Sequence, residues 1–161
     1  MDVLDDSLLN FWRLMNKYAV AYIMIGGVAV NLHGYARSTD DIDVWIEDTL
    51  ENRRKLEKVL GELGYASLQL ESFRFIPGWT NFYIGEGLEL DIITHMKGME
   101  HLTFGQCLEA ATIAEIEEVK VPFLHINHLI ANKKAVNRLR DQADVAELER
   151  IRQYREQSGH S

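Results

Sequence analysis

Three carboxylates carry the clearest chemical signal in this chain. Asp41 and Asp43 stand two residues apart in Asp41-Ile42-Asp43-Val44-Trp45-Ile46-Glu47, an alternation that predicts a strand with one apolar and one polar face. On such a strand both acids project from the same side. Asp91 lies in Leu88-Glu89-Leu90-Asp91-Ile92-Ile93, where Leu88, Leu90 and Ile92 face a core and Asp91 faces away from it. If the two strands pair, three anions meet on one patch of sheet and raise each other's pKa until a cation neutralises them. Hard oxygen ligands of this kind suit Mg²⁺ or Mn²⁺ shared with substrate phosphates. Taken alone, Asp-x-Asp is better explained as merely the solvated face of a half-buried strand.

Other residues strengthen the chemical reading. Gly26-Gly27 follows the apolar run Tyr22–Ile25 and opens a short helical stretch, presenting free N–H groups to an anion. Between this turn and Asp41 lie Arg37, Ser38 and Thr39, all able to contact phosphate. Further on, Lys133 shares a helical face with Leu129 and Val136, so it points inward, where an ammonium group needs a partner. Asp141 and Asp144 begin the stripe that continues through Val145, Leu148 and Ile151; helix capping and an ion pair with Lys133 or Arg138 account for them without catalysis. Lys133, Lys134, Arg138 and Arg140 form a local basic cluster. The six histidines show no metal-ligand spacing; His125 and His128 straddle a strand-to-helix junction, and His33 and His95 read as packing or loop residues. Trp79, Phe82 and Tyr83 could stack a base, although core packing is the default for an aromatic cluster.

The elements that must hold these groups alternate early and turn helical late. A helix is predicted from about Leu4 to Tyr18, with Leu8, Phe11, Trp12 and Met15 as its apolar stripe. Strand Tyr22–Ile25 leads into a short helix ending near His33-Gly34, then into strand Asp41–Glu47. The next helix takes Asp48 as N-cap with Glu51 three residues on, buries Leu56, Val59, Leu60 and Leu63, and stops at Gly64. The segment from Ser67 to Trp79 is ambiguous between strand and loop. Asn81–Ile84 and Leu88–Thr94 form a hairpin through Gly85-Glu86-Gly87. A short helix over Phe104–Ala111 and an extended stretch over Val119–His125 follow. Asn127 caps a helix to about Leu139, Asp141 caps the last to about Gln157, and the tail from Gln157 to Ser161 frays.

Composition sets the outer bounds. With 161 residues, 47% hydrophobic and 26% charged, the chain reads as one globular domain over 1–161, its core motifs at about 20–95 and its helical part at about 127–157. Seventeen basic against 25 acidic residues leave a formal charge of −8, which argues against coating of bulk DNA or RNA while allowing a local groove for one RNA end. One cysteine, Cys107, excludes an internal disulfide and a cysteine-based zinc site. The N-terminus lacks the basic region of a signal peptide. The uncharged run from Tyr18 to Ala36 is broken by glycines, so no membrane span is expected and the placement is cytoplasmic.

The stretch YIMIGGVAVNLHGYARSTDDIDVWI resembles the Gly-Gly…Asp-x-Asp signature of the DNA polymerase β-like nucleotidyltransferase superfamily. Its Arg-Ser-Thr-x-Asp-Ile-Asp wording is most similar to the small bacterial nucleotidyltransferases that include the AbiEii-like toxins. LELDII resembles the strand of the third acid, and HINHLIANKKAVNRLRDQADVAEL the C-terminal helices of that group. The resemblance spans roughly residues 20 to 150. It implies an α/β (α+β) minimal nucleotidyltransferase fold: a mixed sheet, helices mainly on one face and a helical C-terminus. It implies that Asp41, Asp43 and Asp91 are catalytic and hold Mg²⁺ or Mn²⁺. It assigns Gly26, Gly27 and Lys133 to the nucleotide, with Arg37, Ser38 and Thr39 placed to compensate for a hydroxyl that many relatives carry at the second glycine. The implied reaction moves an NMP from an NTP such as ATP to a hydroxyl on an RNA end, a protein or a small molecule, within a toxin–antitoxin pair and with a partner subunit or second copy to bind the acceptor. The alternatives are a non-catalytic nucleotide-binding or antitoxin-type module of the same fold, and an antibiotic-modifying transferase.

Overall fold

A computed structural model describes residues 5–39, 41–85 and 87–159. The expectations for Leu4, Asp40, Glu86 and the last two residues of the tail lie outside the described residues. The chain runs α1 (Asp6–Lys17), β1 (Tyr22–Ile25), α2 (Gly26–Leu32), β2 (Asp41–Ile46), α3 (Leu50–Glu62), β3 (Asn81–Gly85), β4 (Leu88–Ile93), α4 (Phe104–Ala110), β5 (Thr112–Ile116), β6 (Val119–Phe123), α5 (Ile126–Val136) and α6 (Leu139–Gln157). Its strands form one mixed sheet in the order β3-β4-β2-β1-β6-β5. β2 pairs with β4 and β1 with β6 in parallel, and the remaining neighbours are antiparallel. No helix among the described residues is long and apolar enough to cross a membrane.

The apolar face of the sheet is the one expected from alternation. Ile42, Val44, Ile46, Leu90 and Ile92 are fully buried. Leu8, Phe11, Trp12 and Met15 of α1 and Leu56, Val59 and Leu60 of α3 are buried with them in one cluster. Each such side chain contributes about 1.5–3 kcal/mol of transfer free energy, so this layer fixes the register of β2 and β4 against slippage. Asn52 on α3 is buried beside it. Its amide bonds both backbone groups of Ala21 and the carbonyl of Glu47, which ties α3 to the entry of β1 and the exit of β2.

Several boundaries differ from the sequence expectation. Thr49, not Asp48, caps α3 through a bond from the Asn52 N–H, while Asp48 pairs with Arg53 at 2.6 Å. His125 caps α5 through Nδ1, and the break between α5 and α6 falls at Asn137, which sits in the left-handed region at φ 58°. Asp141 then lies in the first turn of α6, where it accepts the backbone N–H of the N-cap Arg138. The segment from 67 to 79 is loop and turn. Strand β5 goes unrecognised in the sequence for a clear reason. Its hairpin turns through Glu117 and Glu118, both at positive φ, positions normally marked by Asn or Gly.

Candidate active site

Strand pairing brings the three acids to one place. β2 and β4 run parallel with Asp43 directly opposite Asp91 and Asp41 opposite Glu89, so all four side chains share the face away from the core. Glu89 was not singled out from the sequence; the same alternation that turns Asp91 outward turns Glu89 with it. Asp41 is exposed, whereas Asp43, Asp91 and Glu89 are partly covered. Below them Trp45 is buried on this face, against the edge of Phe104 from α4.

Burial, followed by the charges of Asp91 and Asp41, pushes the Asp43 carboxyl up to about 6. Lys133 and Arg138 act in the opposite sense, which places both cations within electrostatic reach of the acids. Asp91 is also raised, first by burial and then by Asp41 and Glu89, against the N–H of Gly78, which donates to its Oδ2 at 3.1 Å. Its other oxygen, Oδ1, is buried without a partner. The site therefore holds carboxylates in mutual repulsion and an unsatisfied acceptor.

The glycine pair belongs to the same site. Gly26 has φ +64°, and a Cβ there would collide with the Asp43 carboxylate. A Cβ on Gly27 would lie 2.6 Å from the Cβ of Thr39 and in contact with its hydroxyl. The turn thus admits two glycines because Asp43 occupies the space beside one and Thr39 the space beside the other. Thr39 also donates to the carbonyl of Asp41 at 3.1 Å, which locks the 34–39 loop onto the start of β2.

The remaining nucleotide-side candidates are engaged in a buried ion network. Arg37 grips Asp144 with two bonds, Nε to Oδ1 at 2.7 Å and Nη2 to Oδ2 at 2.8 Å, and donates a third to the carbonyl of Ser38. Lys133, only 5% exposed, lies 3.2 Å from Asp141 and 2.9 Å from Asp144. Arg138 completes the set at 2.7 Å from Asp141, with most of its own side chain exposed. Burial pulls Asp141 upward, but bonds from Arg138 and Lys133 overcome it and hold its carboxyl down at about 2. Three cations face two anions here. The structure thus bears out the inward aim of Lys133 and the pairing of Asp141 and Asp144, and adds Arg37 as the partner that sequence spacing could not show.

Ser38, like Arg37 and Thr39, sits on the loop flanking the acids. The aromatic residues separate: Phe82 is 5% exposed in the core, but Trp79 and Tyr83 are exposed, contrary to the default of core packing. His33 is buried against Phe123, bonded to the Leu124 carbonyl and lowered by burial to about 4, the packing role expected of it. Among the described residues, no group of three or more His, Cys, Asp or Glu side chains is placed to hold a metal ion. The donor set itself is all hard oxygen, with an orphaned Asp91 Oδ1 and a glycine cradle against Asp43, and these features fit a divalent cation.

The open mixed sheet with its helices has the architecture of the nucleotidyltransferase fold. Comparison with solved structures gives the same architecture. The lincosamide antibiotic adenylyltransferase LnuA, solved with lincomycin bound, superposes with a TM-score of 0.62 at 18% identity, over 94% of this chain and 99% of that one. An antigenic nucleotidyltransferase-like protein from Paracoccidioides brasiliensis gives 0.56 at 16% identity, over 90% and 72%. The antibiotic-resistance factor ANT(2'')-Ia gives 0.55 at 17%, over 90% and 80%. No family model matches the chain, and no curated protein matches it significantly.

Proposed function

We propose that this protein is a metal-dependent nucleotidyltransferase that moves an NMP from an NTP to a hydroxyl acceptor. The observation that carries this reading is the in-register pairing of Asp43 with Asp91 on parallel strands, with Gly26 packed against the Asp43 carboxylate. Asp41, Asp43 and Asp91 would hold Mg²⁺ or Mn²⁺, which when bound neutralises their repulsion and the charge gathering on the transferred phosphoryl group. The acceptor oxygen forms the new bond to the α-phosphorus, and the bond from that phosphorus to the bridging oxygen breaks, with its electron pair leaving on pyrophosphate. Asp91, partly buried and raised in pKa, is suited to receive the acceptor's hydroxyl proton. Gly26, Gly27, Ser38 and Thr39 line the nucleotide side. Lys133 and Arg37 act there through the charge and shape of the network they build.

For the acceptor, the reading favoured is a small molecule. LnuA, named for a lincosamide antibiotic, matches this chain over nearly the full length of both. An RNA end or protein side chain, in a toxin–antitoxin setting and with a partner subunit, is the competing role. The test is incubation with each labelled NTP, Mg²⁺ or Mn²⁺ and a total cell extract fractionated by size. Label in a small molecule supports the reading, and label in RNA or protein moves it to the competing role. A wild type that transfers nothing and is indifferent to metal is the non-catalytic module.

A further inference from the structure

The ion network at the start of α6 holds more positive than negative charge. Arg37, Lys133 and Arg138 face Asp141 and Asp144. Two of the three cations are fully engaged. Arg37 places Nε and Nη2 on Asp144 and Nη1 on the Ser38 carbonyl, so every guanidinium nitrogen has a partner. Lys133 is 5% exposed and lies within reach of both carboxylates. Arg138 differs. Its Nε and Nη2 hold Asp141, its side chain is 59% exposed, and its Nη1 has no hydrogen-bond partner among the described residues. A planar fork fixed at one edge by a buried acid and open at the other suits an oxygen-rich anion.

The connections of the network show on which side of the acids this open edge lies. Asp144 grips Arg37, whose loop brings Thr39 against Gly27, and Gly26 packs against the Asp43 carboxylate. One chain of contacts thus joins the start of α6 to the glycine turn. Electrostatics agree with it. Burial, Asp91 and Asp41 raise Asp43, and Lys133 and Arg138 oppose them. At Asp91, on β4 beyond β2, burial, the Gly78 N–H, Asp41 and Glu89 act, with no part from either cation. Arg138 therefore stands on the glycine-turn side of Asp43, away from β3 and β4.

We propose that Arg138 meets the pyrophosphate part of the bound NTP, its open edge donating to non-bridging oxygens of the β- and γ-phosphoryl groups. This rests on the nucleotidyltransferase reading. Lys133 and Arg37 support the contact from within the network: they neutralise Asp141 and Asp144, and Asp141 fixes the fork. When the acceptor oxygen bonds to the α-phosphorus, the electron pair of the breaking bond moves onto the bridging oxygen of pyrophosphate. Arg138 keeps its proton and offsets that growing charge by hydrogen bonding alone.

Two titrations, both well below the melting transition, test this: a fluorescent ATP analogue with Mn²⁺, and Mn²⁺ alone followed by its paramagnetic resonance signal. Arg138→Gln should lose about ten- to a hundredfold in affinity for the analogue. Its affinity for Mn²⁺ alone should hold or rise, because a cation facing Asp43 is gone. Pyrophosphate with Mn²⁺ should displace the analogue from the wild type, and about tenfold more weakly from the variant. Arg138→Lys keeps the charge but not the fork and should recover part of the affinity. Arg140→Gln removes the same charge from the same turn of α6 and should leave both titrations unchanged. Parallel losses of analogue and Mn²⁺ affinity in Arg138→Gln would make the residue a structural cap and overturn the proposal. So would analogue affinity equal to that of the wild type, or an equal loss in Arg140→Gln. In each of these cases metal-dependent binding by the wild type leaves the transferase reading standing. A wild type that binds neither analogue nor Mn²⁺ removes both.

Discussion

The molecule holds two clusters of aspartates that are alike in composition and opposite in electrostatics. On the sheet, Asp41, Asp43 and Asp91 share one face with Glu89 and form no ion pair among the described residues, and Asp43 is pushed up to about 6. At the start of α6, Asp141 and Asp144 are more deeply buried, yet Arg37, Lys133 and Arg138 surround them and Asp141 falls to about 2. Burial alone does not decide the state of a carboxylate. What decides it is whether the fold supplies the counter-charge or leaves that to a ligand. A cluster neutralised from within serves the structure, and one left in repulsion is built to receive something.

The largest test of this contrast is Asp43→Asn. It should lower transfer by more than about a hundredfold, since stabilisation of transition-state charge is removed, while stability holds or rises as repulsion is relieved. The same substitution in the other cluster, Asp144→Asn, should do the reverse. Breaking a buried pair costs about 3–5 kcal/mol, visible as a lower urea midpoint before any assay of activity. Lys133→Ala belongs with Asp144→Asn. The resemblance assigns Lys133 to the nucleotide, and its two buried partners make it a folding residue as well. A melting temperature unchanged by either substitution would remove the contrast.

Smaller effects sharpen it. Gly27→Ala forces a Cβ into Thr39 and should cost about 1–3 kcal/mol as overpacking, with nucleotide affinity falling alongside; an unaffected melting curve would show that the 34–39 loop simply moves aside. The mildest test is pH. Asp43 binds its proton more tightly folded than at its ordinary value of 3.8, so the penalty is fully present above about 6 and shrinks as pH falls toward 3.8. Asp141 has the opposite sign: its contribution is complete above 3.8 and is lost as pH falls toward 2. His33, lowered to about 4, adds stability as pH rises from 4 to 6.5 and overlaps the Asp43 window. The useful measurement is therefore the difference in melting temperature between Asp43→Asn and wild type. It should narrow from pH 7 to pH 5, and a constant difference would show that Asp43 is not under strain.

Local patterns made much of this legible. Asp41 and Asp43, and Asp91 with Leu90 and Ile92, announce their faces through a period of two, which the pleat enforces whatever the rest of the chain does. The stripe of α1 is legible through the helical period of 3.6, and the glycines after β1 through the turn they mark. Caps were less so, because Asp48 and Thr49 are both competent and the choice turned on Arg53 claiming Asp48. Strand β5 stayed hidden because two glutamates occupy turn positions that carry no sequence mark of positive φ.

By itself, then, the sequence determined the polar and apolar faces of β2 and β4, the glycine turn and the inward aim of Lys133, since each follows from short-range geometry. Only the tertiary structure decided that Asp43 stands opposite Asp91, that Arg37 grips an acid 107 residues away, and that Trp79 faces water beside the third acid. Strand order and loop closure set those relations, and both come from packing the whole core at once, which no local spacing encodes.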